Sequence, residues 1–203
     1  GSAVIDIDGT ELNGVVADIL DAPSATLLFL RGSRAGQPVW IVLPADAAGV
    51  TVERSLLADT SRSLGTVTLR NVALAGAHVL ADNCGPSLDD ELLRLAAIAL
   101  AADSLGCGNA ALVATIEYMG VREQFGRLIG SFQALKHRVA DHKAALEAAR
   151  GLVEHASALA PDAPGALLAA LTAKQHVTRI DAEVARDCIQ LHGGVGFTSE
   201  YVP

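Results

Sequence analysis

Two short polar segments of this sequence combine side chains whose types and spacing could do chemistry. The first is Val121-Arg122-Glu123-Gln124-Phe125-Gly126-Arg127-Leu128-Ile129-Gly130-Ser131-Phe132-Gln133, which gathers a guanidinium fork, an amide, an aromatic ring and two glycines. Arg122 suits charge-assisted hydrogen bonds to a phosphate, and Phe125 can stack on a planar ring. The same loop also reads as an ordinary interhelical turn in which Arg122 pairs with a carboxylate. The second is Gln190-Leu191-His192-Gly193-Gly194-Val195-Gly196-Phe197-Thr198. Its adjacent glycines let a ligand approach the backbone amides closely, though a helix C-cap followed by a turn has the same look. Together the two segments say more than either alone.

The remaining titratable groups are less informative. His137 and His142 lie five apart, which misses the i, i+4 spacing of a shared metal, and no carboxylate-rich set accompanies them, so no metal site is expected. They are expected at a surface or interface, with Asp141 as an ion-pair or capping partner. Glu117 and Glu123 are conceivable bases, but Glu117 stands among helix-surface residues. Cys84, Cys107 and Cys188 form neither a C-x-x-C pair nor a disulfide framework, which suits a reducing cytoplasm.

The elements that must position these segments change character along the chain. From residue 3 to about 82, runs of β-branched and apolar residues (Val4–Ile7, Thr26–Leu30, Val39–Leu43, Gly65–Leu69) alternate with turn signals at Asp8-Gly9, Asn13-Gly14, Ala35-Gly36-Gln37-Pro38 and Ala48-Gly49. Four or five such strands predict part of a sandwich or barrel, with more strands supplied from upstream. Gly85-Pro86-Ser87 marks a boundary, and Ser87-Leu88-Asp89-Asp90 resembles a capping box. The period then turns helical. A first helix to about Tyr118 is expected to bury Leu92, Leu95, Ala96, Ala99, Ala102, Leu105 and Leu112, with close helix contact compensating for Gly106 and Gly108. A second is expected over Ser131–Leu159, capped by Ser131, with Leu135, Val139, His142, Leu146, Ala149 and Val153 inward. A third runs from Gly165 to about Leu191 and stops at Gly193-Gly194. The fold class is therefore α+β: a partial β domain over 3–84, then an antiparallel helical bundle over 87–203. Its apolar surface exceeds what three helices bury, so a fourth helix or a partner subunit is expected to cover the rest.

Composition narrows the partners. The chain has 203 residues, is 51% hydrophobic and carries a net charge of −8 with basic residues scattered among acidic ones, which argues against a nucleic-acid surface. No charged-then-apolar leader opens the sequence, and the apolar run Leu92–Leu100, interrupted by Arg94, is too short to span a bilayer. Gly1-Ser2 is typical of a cloning scar, and the chain is expected to begin inside a domain.

The run R-E-Q-F-G-R-L-I-G-S-F-Q-A-L-K-H, from Arg122 to His137, followed by Ala140-Asp141, resembles a signature of the acyl-CoA dehydrogenase C-terminal domain. Q-L-H-G-G-V-G-F-T-S-E, from Gln190 to Glu200, is similar to that family's second signature, and Ala173-Lys174 fits between them. In the β half the likeness is looser, through Glu11-Leu12-Asn13-Gly14 and Leu69-Arg70-Asn71-Val72. The resemblance implies an oligomeric FAD protein, dimer or tetramer, acting on an acyl-CoA thioester. A glutamate takes the α proton and the flavin accepts the β hydride. It further implies that both signatures reach the adenosine diphosphate part of a neighbouring subunit's FAD. Arg122 would then meet the pyrophosphate and Phe125 the adenine. Gln124, Gln190, Gly193 and Gly194 would complete the site.

The sequence also departs from the family. The position of an early-helix glutamate falls at Ala96, and a neighbouring arginine position at Ala97; neither alanine can do those tasks. The usual base is expected beyond Pro203 or on a partner. Where the family has Trp-Ile-Thr against the flavin ring, ungapped alignment gives Asp18-Ile19-Leu20, and a carboxylate there would oppose the negative charge of a reduced flavin. These losses fit the partner-type subunit of the heteromeric acyl-CoA dehydrogenases of actinobacteria and other bacteria. Competing readings are an assembly subunit without flavin, and an acyl-CoA oxidase or flavin monooxygenase on the same scaffold.

Overall fold

In the computed structural model of the chain, residues 4–59, 61–80 and 86–198 are described. The predicted boundary at Gly85 and the thiol of Cys84 lie outside them, as does the end of the second signature at Ser199-Glu200. The chain divides into two compact units, Gly1–Asp89 and Asp90–Pro203.

The first unit is one mixed sheet. Strands β1 (Val4–Asp8), β2 (Glu11–Leu20), β3 (Leu27–Arg34), β4 (Gln37–Pro44), β5 (Val50–Arg54), β6 (Leu64–Ala73) and β7 (His78–Leu80) are ordered β5-β6-β2-β1-β3-β4-β7. All neighbours are antiparallel except β1 and β3, which pair in parallel through Asp6 with Ser33 and Ile7 with Arg34. Inward residues from strands far apart in that order, Val67 and Leu69 of β6 with Val39 and Ile41 of β4, share a core with Ile5, Leu12 and Leu28. The sheet therefore curls around its own apolar face.

Two turn assignments from the sequence resolve differently. Ala35-Gly36 is a two-residue hairpin loop with φ of 50° and 78°, the left-handed pair that suits strand twist. Asn13-Gly14, in contrast, lies inside β2. There the register with β6 slips between Leu12 and Gly14, and the Asn13 side chain accepts the backbone N–H of Asn71 at 2.8 Å. Asn71 has φ 51°, so the turn-forming residues mark a bulge rather than a chain reversal. A second slip, between Val16 and Ile19, leaves Asp18 exposed with φ 60°.

The second unit holds α1 (Pro86–Val121, its first residues in the first unit), α2 (Gln133–Ala158) and α3 (Ala166–His192). Tyr118 stacks on His192 while Gly108 approaches Asp181, so α1 and α3 run in the same sense. Leu135 shares a cluster with Leu191, and His142 bonds to Asp187, so α2 runs against α3. The predicted inward stripe of α2 holds, with Leu146 and Ala149 fully buried.

The predicted inward stripe of α1 is corrected. Leu105 and Leu112 are buried with Ala97, Ala101, Thr115 and Met119, but Leu95, Ala96, Ala99 and Ala102 are exposed. The helix is apolar on every side, so periodicity could not choose a face. Within Leu88–Met119 an 18-residue window has a mean hydropathy of 1.5, so the helix is long and apolar enough by composition to cross a membrane, which the run Leu92–Leu100 alone is not; core helices pass the same test. Of its two interior glycines, Gly108 has the expected compensation: a Cβ there would meet Asp181 Oδ1 at 2.9 Å and Leu146 Cδ2 at 3.1 Å. Gly106 has nothing within 4 Å.

Candidate functional site

Helix α1 ends at Val121, and the chain reverses immediately. Strands β8 (Glu123–Gln124) and β9 (Arg127–Leu128) form a minimal hairpin whose loop, Phe125-Gly126, has φ of 55° and 75°. Ile129 N–H donates to the Arg122 carbonyl at 2.8 Å and closes the hairpin base. The hairpin's other cation, Arg127, lies 3.9 Å above the Phe132 ring, which Phe125 meets edge-on at 6.3 Å. A 3₁₀ turn, Ile129–Ser131, leads into α2. Ser131 does not cap that helix: its hydroxyl donates back to the Leu128 carbonyl, and Phe132 holds the cap position without a side-chain bond. Gly130 permits this path, since a Cβ there would stand 2.8 Å from the Met119 carbonyl oxygen.

At the far end of the unit, α3 stops where Gly193 adopts φ 66° and ψ −140°, a conformation suited to glycine, and donates its N–H to the Gln190 carbonyl. A 3₁₀ turn over Gly193–Phe197 follows. A Cβ on Gly196 would strike the Ile189 carbonyl oxygen at 2.6 Å, whereas Gly193 and Gly194 face open space.

The two segments meet. Arg122, Gln124, Phe125, Gln190, Gly193 and Gly194 line a single cleft of about 730 Å³. Arg122 makes no ion pair among the described residues, and the Phe125 ring is 92% exposed despite its left-handed backbone. Sequence reasoning missed the cleft's wall, made of Tyr118, Ile129, Phe132, Leu135, Leu191 and His192. Tyr118 lies one helical turn before Arg122 and stacks on His192 at 4.5 Å, its hydroxyl donating to the His192 carbonyl. That i, i+4 relation to Arg122 was the available signal.

The donor set suits a nucleotide diphosphate. Arg122, with no ion pair among the described residues, the diglycine corner facing open space and the exposed Phe125 match phosphate charge, close approach of a ligand to backbone and a purine face respectively. These residue types are compatible with the ADP part of FAD, the cofactor that the resemblance implies.

Beside the cleft, and sharing Gln190 with it, a second cavity of about 440 Å³ is lined by Arg138, Asp141, His142, Glu183, Arg186 and Asp187. Asp187 pairs with Arg138 and accepts from His142 Nε2 at 2.7 Å. Burial first, then the Arg138 charge, hold His142 below the ordinary imidazole value, against the opposing charges of Asp141 and Glu183. Because a carboxylate only accepts, the proton between His142 and Asp187 is on Nε2. Asp187 thus takes the bundle ion-pair role expected of Asp141, which makes no ion pair among the described residues. His137 instead meets Gln133 at 2.9 Å.

Residues 84–203 match the family described as acyl-CoA dehydrogenase, C-terminal domain, and the chain belongs to that family. The acyl-CoA dehydrogenase IpdE2 of Mycobacterium tuberculosis is 44% identical over 113 residues, 56% of this chain and 34% of that protein. FadE34 of the same organism, also an acyl-CoA dehydrogenase, is 31% identical across 99% of this chain and 27% of its own length. Among solved structures, the Tcur3481-Tcur3483 steroid ACAD variant superposes with a TM-score of 0.84 at 32% identity, covering 98% of this chain and 54% of that one. The chain thus spans about a third and about a quarter of those two enzymes and about half of the solved relative.

Proposed function

We propose that this chain is the C-terminal part of an FAD-dependent acyl-CoA dehydrogenase subunit, and that it holds the adenosine diphosphate part of a FAD seated mainly on a neighbouring subunit. The observation that carries this reading is the meeting of the arginine hairpin and the diglycine corner in one cleft, with Arg122 unpaired among the described residues. When bound, the flavin supplies the oxidising power for α,β-dehydrogenation of an acyl-CoA thioester. This chain's own residues bind and orient. Arg122 donates charge-assisted bonds to the pyrophosphate, the Gly194 amide and Gln190 take the phosphate and ribose oxygens, and Phe125 covers the adenine with Gln124 beside it. The Gly193 N–H is engaged by the Gln190 carbonyl, so Gly193 serves by its φ of 66° and by leaving open the space that a Cβ on either glycine would fill.

The reading extends to assembly in the cytoplasm with a partner that carries the base, as homo- or hetero-oligomer. Ala96 is exposed on α1 and Asp18 stands in a β-bulge with φ 60°, so neither family position offers the usual chemistry. A relative named as a pair, Tcur3481-Tcur3483, supports a two-subunit arrangement, and its description as a steroid ACAD makes a steroid-bearing acyl thioester the first substrate to try. Co-expression with a candidate partner subunit tests this. The expected product has less than one FAD per chain, dehydrogenates acyl-CoA, and loses flavin with Arg122→Ala. A colourless complex would favour an assembly subunit. Hydrogen peroxide or a hydroxylated product would favour the oxidase or monooxygenase reading. One FAD per chain in a homomer that turns over would overturn the partner-subunit proposal.

A further inference from the structure

We infer that Asp187 is a positioning residue for the cleft: through Arg138 and His142 it fixes the last turn of α3 against the first turns of α2, and so sets Gln190 and the diglycine corner facing the arginine hairpin. Arg138 and His142 lie at i, i+4 on α2, one turn after the chain leaves the hairpin, so both present to the same partner. The Asp187 carboxylate receives both, Arg138 on Oδ1 and Oδ2 and His142 on Oδ2 at 2.7 Å, and its side chain is 18% exposed. Gln190 follows at i+3 on α3 and borders both this cavity and the cleft. Cleft geometry needs such a tie because, among the described residues, its two walls share no backbone hydrogen bond; the Tyr118–His192 contact holds the end of α1 to the corner, and the packing of α2 on α3 sets the rest of their separation. An imidazole N–H and a guanidinium fork donating to one carboxylate give three defined hydrogen bonds, which fix direction in a way the surrounding Leu and Val contacts do not. Asp187 touches no part of the proposed ligand, so its effect is exerted through Gln190 and Gly193.

The test uses the full chain and two readouts. The first, ADP binding by calorimetry, rests on the proposed function; the second, amide hydrogen exchange, does not. Asp187→Asn and His142→Leu are expected to weaken ADP binding about tenfold, while His142→Gln, which keeps a donor at similar reach, restores it to within about twofold of wild type. In Asp187→Asn, exchange at Leu191–Gly194 should speed about tenfold while Ala170–Val177 keeps its protection. If Asp187→Asn does not fold, Arg138→Met, whose side chain is 41% exposed, tests the same tie by the same readouts. Folded variants with wild-type exchange at the diglycine corner, or with protection lost equally along α3, overturn the inference. Absence of ADP binding by the wild-type chain would count against the proposed function and leave the exchange result to decide the role of Asp187.

Discussion

Phe125 is the residue whose conformation makes least sense without a ligand. A bulky aromatic at φ 55° is strained, and its ring is 92% exposed, so neither backbone preference nor burial explains it. Strain kept at an exposed position is the pattern of a residue held for contact. Phe125→Gly should therefore leave thermal stability equal or slightly higher, because the loop wants left-handed residues at both positions, while ADP affinity falls. Differential scanning fluorimetry with calorimetry reads both, and a variant that is less stable yet binds normally would reverse the interpretation. Gly193→Val should act oppositely. It forces a β-branched residue into φ 66°, ψ −140° and puts its branches into the open face, so stability falls by about 1–3 kcal/mol and binding is lost together.

At the scale of the element, α1 and its neighbours separate structural from interface demands. Gly106 has no intramolecular neighbour to justify it, so Gly106→Ala should stabilise the isolated chain by about 1 kcal/mol. Gly108→Val should destabilise it, because Leu146, fully buried, has no room to yield. Asp181, next to Gly108, has its carboxyl pushed above the ordinary value by burial, with the charge of Asp103 adding to it. The folded chain then holds that proton to higher pH than the unfolded chain, and stability falls as pH rises through and above 3.8. Asp181→Asn should raise Tm at pH 7, and the gain should shrink as pH falls and vanish below 3.8, where the carboxyl is protonated in both states. A pH series of melting curves for both proteins checks the sign.

How much of this was legible in the sequence differs by element for physical reasons. The hairpin and diglycine segments could be read from side-chain type, and all six candidate residues meet in the cleft. Helix α2 could be read because polar and apolar residues alternate on it with a clear period. Helix α1 could not, since leucine and alanine surround it and burial is decided by neighbours rather than by its own pattern. Asn13-Gly14 misled because the residues that favour a reversal also favour a bulge, and only pairing with β6 distinguishes the two. Tyr118, His192 and Asp187 act through contacts between distant segments, which no local pattern reveals.

For the whole molecule, every residue that lines the cleft comes from the helical unit. The exposed apolar side chains of α1, Leu93, Leu95, Leu100, Val113 and Ile116, leave a helix that is incompletely covered among the described residues. That incompletely covered helix agrees with the proposed assembly, in which a neighbour would bring the flavin ring, the base and a covering surface.

On the proposed function, the cleft recognises the nucleotide half of a flavin coenzyme and not its ring. Titration of the full chain with ADP, FAD and FMN tests this directly. ADP and FAD should bind alike and FMN should not bind, with Arg122→Ala weakening ADP about tenfold or more, as expected for a lost charge-assisted contact of about 1.5–3 kcal/mol. Binding of FMN as tightly as FAD, or ADP affinity unchanged in Arg122→Ala, would contradict it.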